Sequence, residues 1–310
     1  MRRKLIRKTT FAILLDLAAA GVLLCGFAFF HHVLQVPGDT AGVIEIPRPS
    51  ASAAPLPTSG APVEQTQTER TYQSGAISIS LNTVQTGSGS SALTYHIADL
   101  FISDIEALQT AFADGTYGRN YTESVLEQDL ANDAILAISG DSYGMSEGGI
   151  VIRNGILYRY EETASDICVL YYDGTMETLS PGEYTQESLI ESGAYQVWTF
   201  GPGLLDKEGR ALRSFNTDPY LIQKHPRAAI GYYEPGHYCI VIVNGRGTEG
   251  SRGYTMSQLS ALFEELGCAA AYNLDGGRSS VMAWDCGSSL VNSPASGGRP
   301  VCDIIYIPKE

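Results

Sequence analysis

Apolar and polar positions divide the 310-residue chain into three regimes. From Phe11 to Val33 the residues are apolar apart from a lone acid, Asp16. Residues 34–71 have almost no apolar pattern; "PRPSASAAPLPTSGAPVEQTQTER" is Pro-, Ser-, Ala- and Thr-rich. From Tyr72 onward, short apolar or alternating runs are punctuated by turn residues, the pattern of strands bounded by hairpins.

In this third regime the runs "AISISL" and "LTYHIADLFI" alternate as strands do. Residues 104–113 place Ile105, Leu108 and Phe112 at helical spacing and predict a helix. Ser124 and Glu127 have capping-box spacing and predict a second helix running to Leu130. "AILAIS" at 134–139 is continuously apolar and β-branched, which predicts a buried strand. Asn154-Gly155 and Asp173-Gly174 each sit between alternating runs and predict hairpins. "AYQVWTFGPGLL" reads as a strand ending in a Gly-Pro-Gly turn, and "RAAIGYYEPGHYCIVIVNGR" as a third hairpin. Thr255 and Gln258 cap a helix whose apolar face is Met256, Leu259, Leu262, Phe263 and Leu266, and Gly267 ends it. "CAAAYNL", "SSVMAW" and "CDIIYI" supply the last strands. The order predicts an α+β fold with a mixed, largely antiparallel β-sheet, a few covering helices and an N-terminal transmembrane helix.

The first regime is long enough to cross about 30 Å of hydrocarbon as a helix. Arg2, Arg3, Lys4, Arg7 and Lys8 precede it. This predicts a cytoplasmic basic tail (1–10), a transmembrane signal anchor (11–33), a linker (34–71) and an extracytoplasmic domain (72–310). The apolar run ends in Phe29-Phe30-His31-His32, with no small-x-small site, which favours an uncleaved anchor over a cleaved signal peptide.

Net charge is −14, and the basic tail leaves the rest of the chain near −18. That argues against nucleic acid or anionic lipid as the main partner of the domain. Five of the six cysteines lie outside the anchor, at spacings that match no zinc motif. Cys168 and Cys239 fall inside apolar strands and read as core residues; Cys268 or Cys286 could pair with Cys302.

Candidate chemistry sits where strands run out. "AYNLDGGRSS" at 271–280 puts Asp275 and Arg278 on a glycine turn directly after an apolar strand, where backbone can approach a ligand closely. The bland alternative is a tight turn fastened by its own aspartate. Arg227, Arg246 and Arg278 all lie beside turns, and guanidinium forks suit carboxylate or phosphate. Asp141 and Asp275 could act as a carboxylate pair on a glycosidic bond or hold a divalent cation through oxygen, although no calcium-loop spacing is present. Gly140-Asp141-Ser142-Tyr143-Gly144 fits G-x-S-x-G, with His225 or His237 as a base and Asp206 or Asp218 as its partner. A nucleophile elbow needs a helix directly after the serine; "MSEGGIVIRNG" instead predicts a loop and a hairpin.

Taken together and in order, "AILAISGDSYG", "TFGPGLLDKEG", "HPRAAIGY", "IVIVNGR", "AYNLDGGRSS" and "VNSPASGGRPVCDIIYI" resemble the motifs of the phosphodiester glycosidase family across roughly Tyr95 to Ile307. Ser139, Ala228, Asn244 and Arg278 depart from the family pattern. The resemblance implies hydrolysis of a sugar 1-phosphodiester on the sugar side, in a cell-envelope or exopolysaccharide glycan. It implies Asp275 and Asp141 as catalytic carboxylates. Arg227 and Arg246 would clamp phosphate, with Asn273, Gly276, Gly277, Ser279 and Arg299 completing the substrate site. A catalytically weak glycan-binding or polysaccharide-assembly protein on the same fold, and a serine esterase using Ser142, are the alternatives.

Overall fold

The computed structural model describes residues 2–49, 66–67, 70–146 and 148–310. Three antiparallel sheets form the body. The largest has seven strands and is built around the long strands Ile77–Thr86, Leu93–Ile102, Arg227–Glu234 and His237–Val243, with Ala270–Asn273 at one edge. A six-stranded sheet contains the hairpins Gly149–Arg153/Ile156–Glu161 and Ile167–Tyr171/Met176–Leu179, with Ala194–Trp198 between them. A five-stranded sheet centres on Ala134–Ser139, flanked by Met282–Trp284 and Asp303–Pro308.

Side-chain alternation sets the layers. In the seven-stranded sheet, Ala98, Leu100, Ala228, Ile230, Ile240 and Ile242 face a central core shared with the other two sheets. Ala229, Cys239, Val241 and Val243 face the other way, onto Leu259, Leu262 and Phe263 of the helix Met256–Glu265. Thr255 caps that helix by accepting from Gln258 N at 3.2 Å, as its spacing predicts. The five-stranded sheet is covered on its outer face by the helix Val125–Ala131, with Val125 against Ala134, Ala137 and Ile304. The capping box holds here too: Ser124 N donates to Glu127 Oε2 at 3.0 Å. The three predicted hairpins form as expected.

Three expectations give way. The predicted helix over 104–113 is a single 3-10 turn, Ile105–Ala107, followed by the strand Gln109–Phe112. Asp104 closes the turn by accepting from Glu106 N at 3.1 Å. Beyond it, pairing with Asp303–Tyr306 overrides local periodicity, and the backbone amide of buried Thr110 donates to Asn154 Oδ1. The α+β class holds, and the sheets, expected to be mixed but largely antiparallel, are antiparallel at every described pairing between named strands.

The linker is also less empty than its composition implies. Val36–Pro37 pairs with Gly118–Arg119, and Ile44–Glu45 adds an edge strand to Ile156–Leu157. Ile46 is 1% exposed within the central core, and Arg48 pairs with Asp104 and Glu106. A few apolar residues in a polar segment were enough to find a sheet edge, which no periodicity reveals. Residues 50–65 of the linker lie outside the described residues.

Finally, all six cysteines are free. Cys268 packs its sulfur 3.7 Å from that of Cys239, and the Cys302 thiol donates to Asp141 O at 3.2 Å, so neither expected pairing with Cys302 forms. Cys168 and Cys239 are core residues as read.

The N-terminal helix Arg2–His32 contains one stretch, Ile13–His32, that is long and apolar enough to cross a membrane, and none of it is buried. Asn120 Nδ2 donates to His31 O and Leu34 O at its end, at 3.3 and 2.8 Å.

If residues 36–48 are part of the folded unit, Ile46→Ala should cost about 2–4 kcal/mol of unfolding free energy. Denaturant unfolding reads this as a lower midpoint at unchanged slope; a midpoint equal to wild type would undo the docking.

Candidate active site

Two core strands from different sheets run out side by side. Ala134–Ser139 continues into Gly140-Asp141, and Ala270–Asn273 into Leu274-Asp275. Asp275 N donates to Gly140 O at 3.1 Å, and the Ser139 hydroxyl donates to Asp275 O at 3.0 Å. Ser139, one of the departures from the motif pattern, therefore fastens this seam. The chain can come this close because of glycine: a Cβ on Gly140 would lie 2.6 Å from Asp303 Oδ1, and one on Gly276 2.9 Å from Pro226 O.

Asp275 is 5% exposed. Arg299 Nη2 donates to both of its oxygens, at 3.0 and 2.8 Å, and Arg299 Nε donates to Ser279 Oγ at 2.5 Å. Burial pushes the Asp275 carboxyl above the usual carboxylate range, with the Arg299 charge opposing it. Around this carboxylate lies a pocket of about 270 Å³, whose wall includes Asn273, Gly276, Gly277, Arg227, Arg246, Arg278 and Arg299. The structure thus brings together eight of the nine residues expected at the substrate site: six of these walls (all but Arg278), Asp275 itself, and Ser279 behind Arg299.

The arginines differ in their commitments. Arg227 is 2% exposed and donates to the carbonyls of Tyr254, Leu221 and Gln223, so it shapes the loop over the pocket. Burial pulls its guanidinium down to about 10, and no carboxylate pairs with it among the described residues. Arg246 is exposed, on left-handed backbone (φ 57°), with its guanidinium against Gly277. Arg278 donates to Gly298 O at 3.0 Å. Four guanidiniums against one carboxylate make a strongly cationic site in a chain of net charge −14. Asn273 donates to Gly201 O at 2.8 Å, while its Oδ1 is buried without a protein donor.

Asp141 does not join this pocket. Its Oδ1 accepts from Tyr143 N at 2.7 Å; its Oδ2 accepts from Thr199 N at 3.1 Å and pairs with Arg153 Nη2 at 3.1 Å. Arg153, 2% exposed, also grips Asp303 through Nε and Nη2 at 2.9 and 2.8 Å. Asp303 Oδ1 in turn accepts from Asp141 N at 3.0 Å. Expected as a second catalytic carboxylate, Asp141 has both oxygens committed to the frame. Arg153 and Asp303 were missed, yet each left a mark: a lone charge inside an otherwise apolar strand, in "GIVIR" and "VCDIIYI", must find a partner in the core.

The serine-hydrolase constellation does not assemble. Ser142 lines a neighbouring hollow that holds no histidine. His237 bonds Asp99 at 2.8 Å; His225 bonds Tyr220 O; Asp206 pairs with Arg210; Asp218 caps the helix Pro219–Ile222. A 3-10 turn and a strand follow Ser142 in place of a helix. Among the described residues no group of three or more His, Cys, Asp or Glu could hold a metal ion, so the divalent cation considered from sequence has no ligand set there.

A cationic, strand-end pocket on layered antiparallel sheets defines a site for an anionic ligand beside one buried carboxylate. The family model for phosphodiester glycosidases matches residues 132–308, and the chain belongs to that family. The SPbeta prophage-derived uncharacterized protein YomE of Bacillus subtilis (strain 168) is 32% identical over 199 residues, covering 62% of this chain. The chain spans only 30% of the length of that relative. The fold is shared with the catalytic domain of zebrafish N-acetylglucosamine-1-phosphodiester alpha-N-acetylglucosaminidase, auto-inhibited by its pro-peptide (TM-score 0.61, 16% identity, 80% of this chain and 88% of that one). A hypothetical protein from Synechocystis is also similar (TM-score 0.55, 13% identity, 75% and 62%).

Asp303 yields a pH prediction. Burial and the neighbouring Asp141 push its carboxyl up to about 7 against the pull of Arg153, whereas an unfolded aspartate titrates near ~3.9. The folded chain therefore holds that proton more tightly. The stability this confers is complete below about pH 4 and is lost as pH rises towards about 7. Melting temperatures measured between about pH 5 and pH 8 should fall less steeply in Asp303→Asn than in wild type; equal slopes would place the titration elsewhere.

Proposed function

We propose that the chain is a membrane-anchored, extracytoplasmic hydrolase that cleaves a sugar 1-phosphodiester on the sugar side, in a cell-envelope or exopolysaccharide glycan. The observation that carries this reading is the single buried carboxylate, Asp275, set among four arginines, one of which, Arg227, is a buried cation with no carboxylate partner. Family membership supports the reaction class. The apolar helix and the basic residues before it support the anchor and its orientation.

Water adds to the anomeric carbon, the bond from that carbon to the bridging oxygen breaks, and the phosphate monoester departs with that oxygen. Asp275 accepts the proton of the attacking water and passes it to solvent. Its raised proton affinity suits it to this task, and Arg299 orients it. A phosphate monoester is a good leaving group, so the demand falls on stabilising charge. The guanidiniums meet the negative charge that builds on the departing phosphate. Asp141 holds the strand end in position through Arg153.

The Arg299 clamp on both Asp275 oxygens favours one other reading, a glycan-binding protein in which that carboxylate is purely structural. A sugar 1-phosphodiester assay separates the two. Asp275→Asn should lower kcat at least about a hundredfold while leaving binding of the diester within about threefold. Full activity in that variant would remove Asp275 from the chemistry, and binding without turnover in wild type would establish the glycan-binding reading. An ester hydrolysis abolished by Ser142→Ala and untouched by Asp275→Asn would establish a serine esterase instead.

A further inference from the structure

The arginine pocket has a neighbour. A second hollow, of about 280 Å³, lies on the other side of half-buried Phe200, which lines both. Each hollow alone lies just under the ~300 Å³ at which small-molecule sites begin. A ligand that occupies both would pass over Phe200, the residue they share.

The two halves differ in chemistry. The second hollow presents the hydroxyls of Ser142, Ser146, Thr163, Ser165 and Thr199, and no Arg, Lys or His lines it. The side chains of Ser142 and Ser165 make no hydrogen bond with the described residues, so their hydroxyls are available to a ligand. Among the described residues the charged side chain it contains is Asp141, whose oxygens are already committed and which would repel an anion. An anionic group has every reason to lie on the arginine side and none to lie here. Hydroxyl donors and acceptors around one aromatic face instead match an uncharged polyol ring, which offers hydroxyls at its rim and an apolar C–H face to stack on Phe200.

We infer that the hydroxyl-lined hollow is the sugar subsite. The substrate straddles Phe200 with its neutral ring there and its phosphate among the arginines, and Phe200 with the Ser/Thr wall selects the sugar. The identity of the anion as phosphate rests on the proposed hydrolysis; the division into a neutral and an anionic half does not.

Binding to the full chain in detergent micelles tests it, with inorganic phosphate and a panel of neutral methyl glycosides (hexoses and N-acetylhexosamines) as probes. Ser165→Trp fills the second hollow from a partly exposed loop. It should weaken the glycosides that bind wild type about tenfold or more and leave phosphate within about twofold, the retained phosphate binding also showing that the variant is folded. Phe200→Ala should weaken the same glycosides. Arg246→Ala should give the opposite result, weakening phosphate about tenfold and sparing the glycosides. The assignment is overturned if no glycoside in the panel binds wild type, if Ser165→Trp spares them, or if Arg246→Ala rather than Ser165→Trp abolishes their binding. Because these readouts are equilibria, the expected pattern without turnover of any diester would sink the hydrolase reading alone and leave the subsite standing.

Discussion

Arg153 is the charge on which the site depends. It rises from the six-stranded sheet, and its guanidinium meets two aspartates, Asp303 within the five-stranded sheet and Asp141 just beyond the end of that sheet's strand Ala134–Ser139. A buried ion group of this kind adds little net stability over well-packed apolar residues, but removing one member strands the others and costs about 3–5 kcal/mol. Its use here is geometric. Asp141 receives Thr199 N from the end of one sheet and Arg153 from another strand of that sheet, while its own amide reaches Asp303. The relative position of the two sheet ends is therefore set by directional polar contacts, in a region where packing alone would allow sliding.

That frame explains why the pocket carboxylate sits on a turn and not within a strand. Asp275 is presented two residues beyond the last paired stretch, at a place where Gly140 and Gly276 let backbones meet almost without side chains. Its amide and carbonyl are both tied to the adjacent strand end, so the carboxylate is aimed by main chain on one side and by Arg299 on the other. Preorganisation of this sort is what a site needs in order to stabilise charge without reorganising during reaction. Arg227 works in the same spirit: by holding three loop carbonyls it keeps its own charge buried and oriented at the pocket wall.

Much of this was legible from residue pattern. Asn-Gly and Asp-Gly pairs between alternating runs marked hairpins that form, and Ser124-x-x-Glu127 and Thr255-x-x-Gln258 marked helix starts that form, because those signals are local and self-sufficient. The segment 104–113 failed because its helical spacing competed with a strand partner almost two hundred residues away, Asp303–Tyr306, that no window can contain. Ile46 failed for a related reason: one buried residue in a polar stretch carries no period. At the candidate site, Asp275 and the arginines, singled out because they sit on or beside turns at strand ends, line one pocket. Asp141 was found and misassigned, since its ion partner lay on a different sheet. A charged residue inside an apolar strand is the cue that would have linked Arg153, Asp303 and Asp141 in advance.

The cysteines close the account of what holds the domain together. Cys168, Cys239, Cys268 and Cys302 are buried as thiols; burial pushes Cys168 and Cys302 away from the reactive thiolate form, and the contact with Cys268, with burial added, does the same for Cys239. No covalent cross-link spans the sheets. The described domain is therefore held together by packing and by buried polar contacts such as the Arg153 ion group, without a covalent tie between its layers.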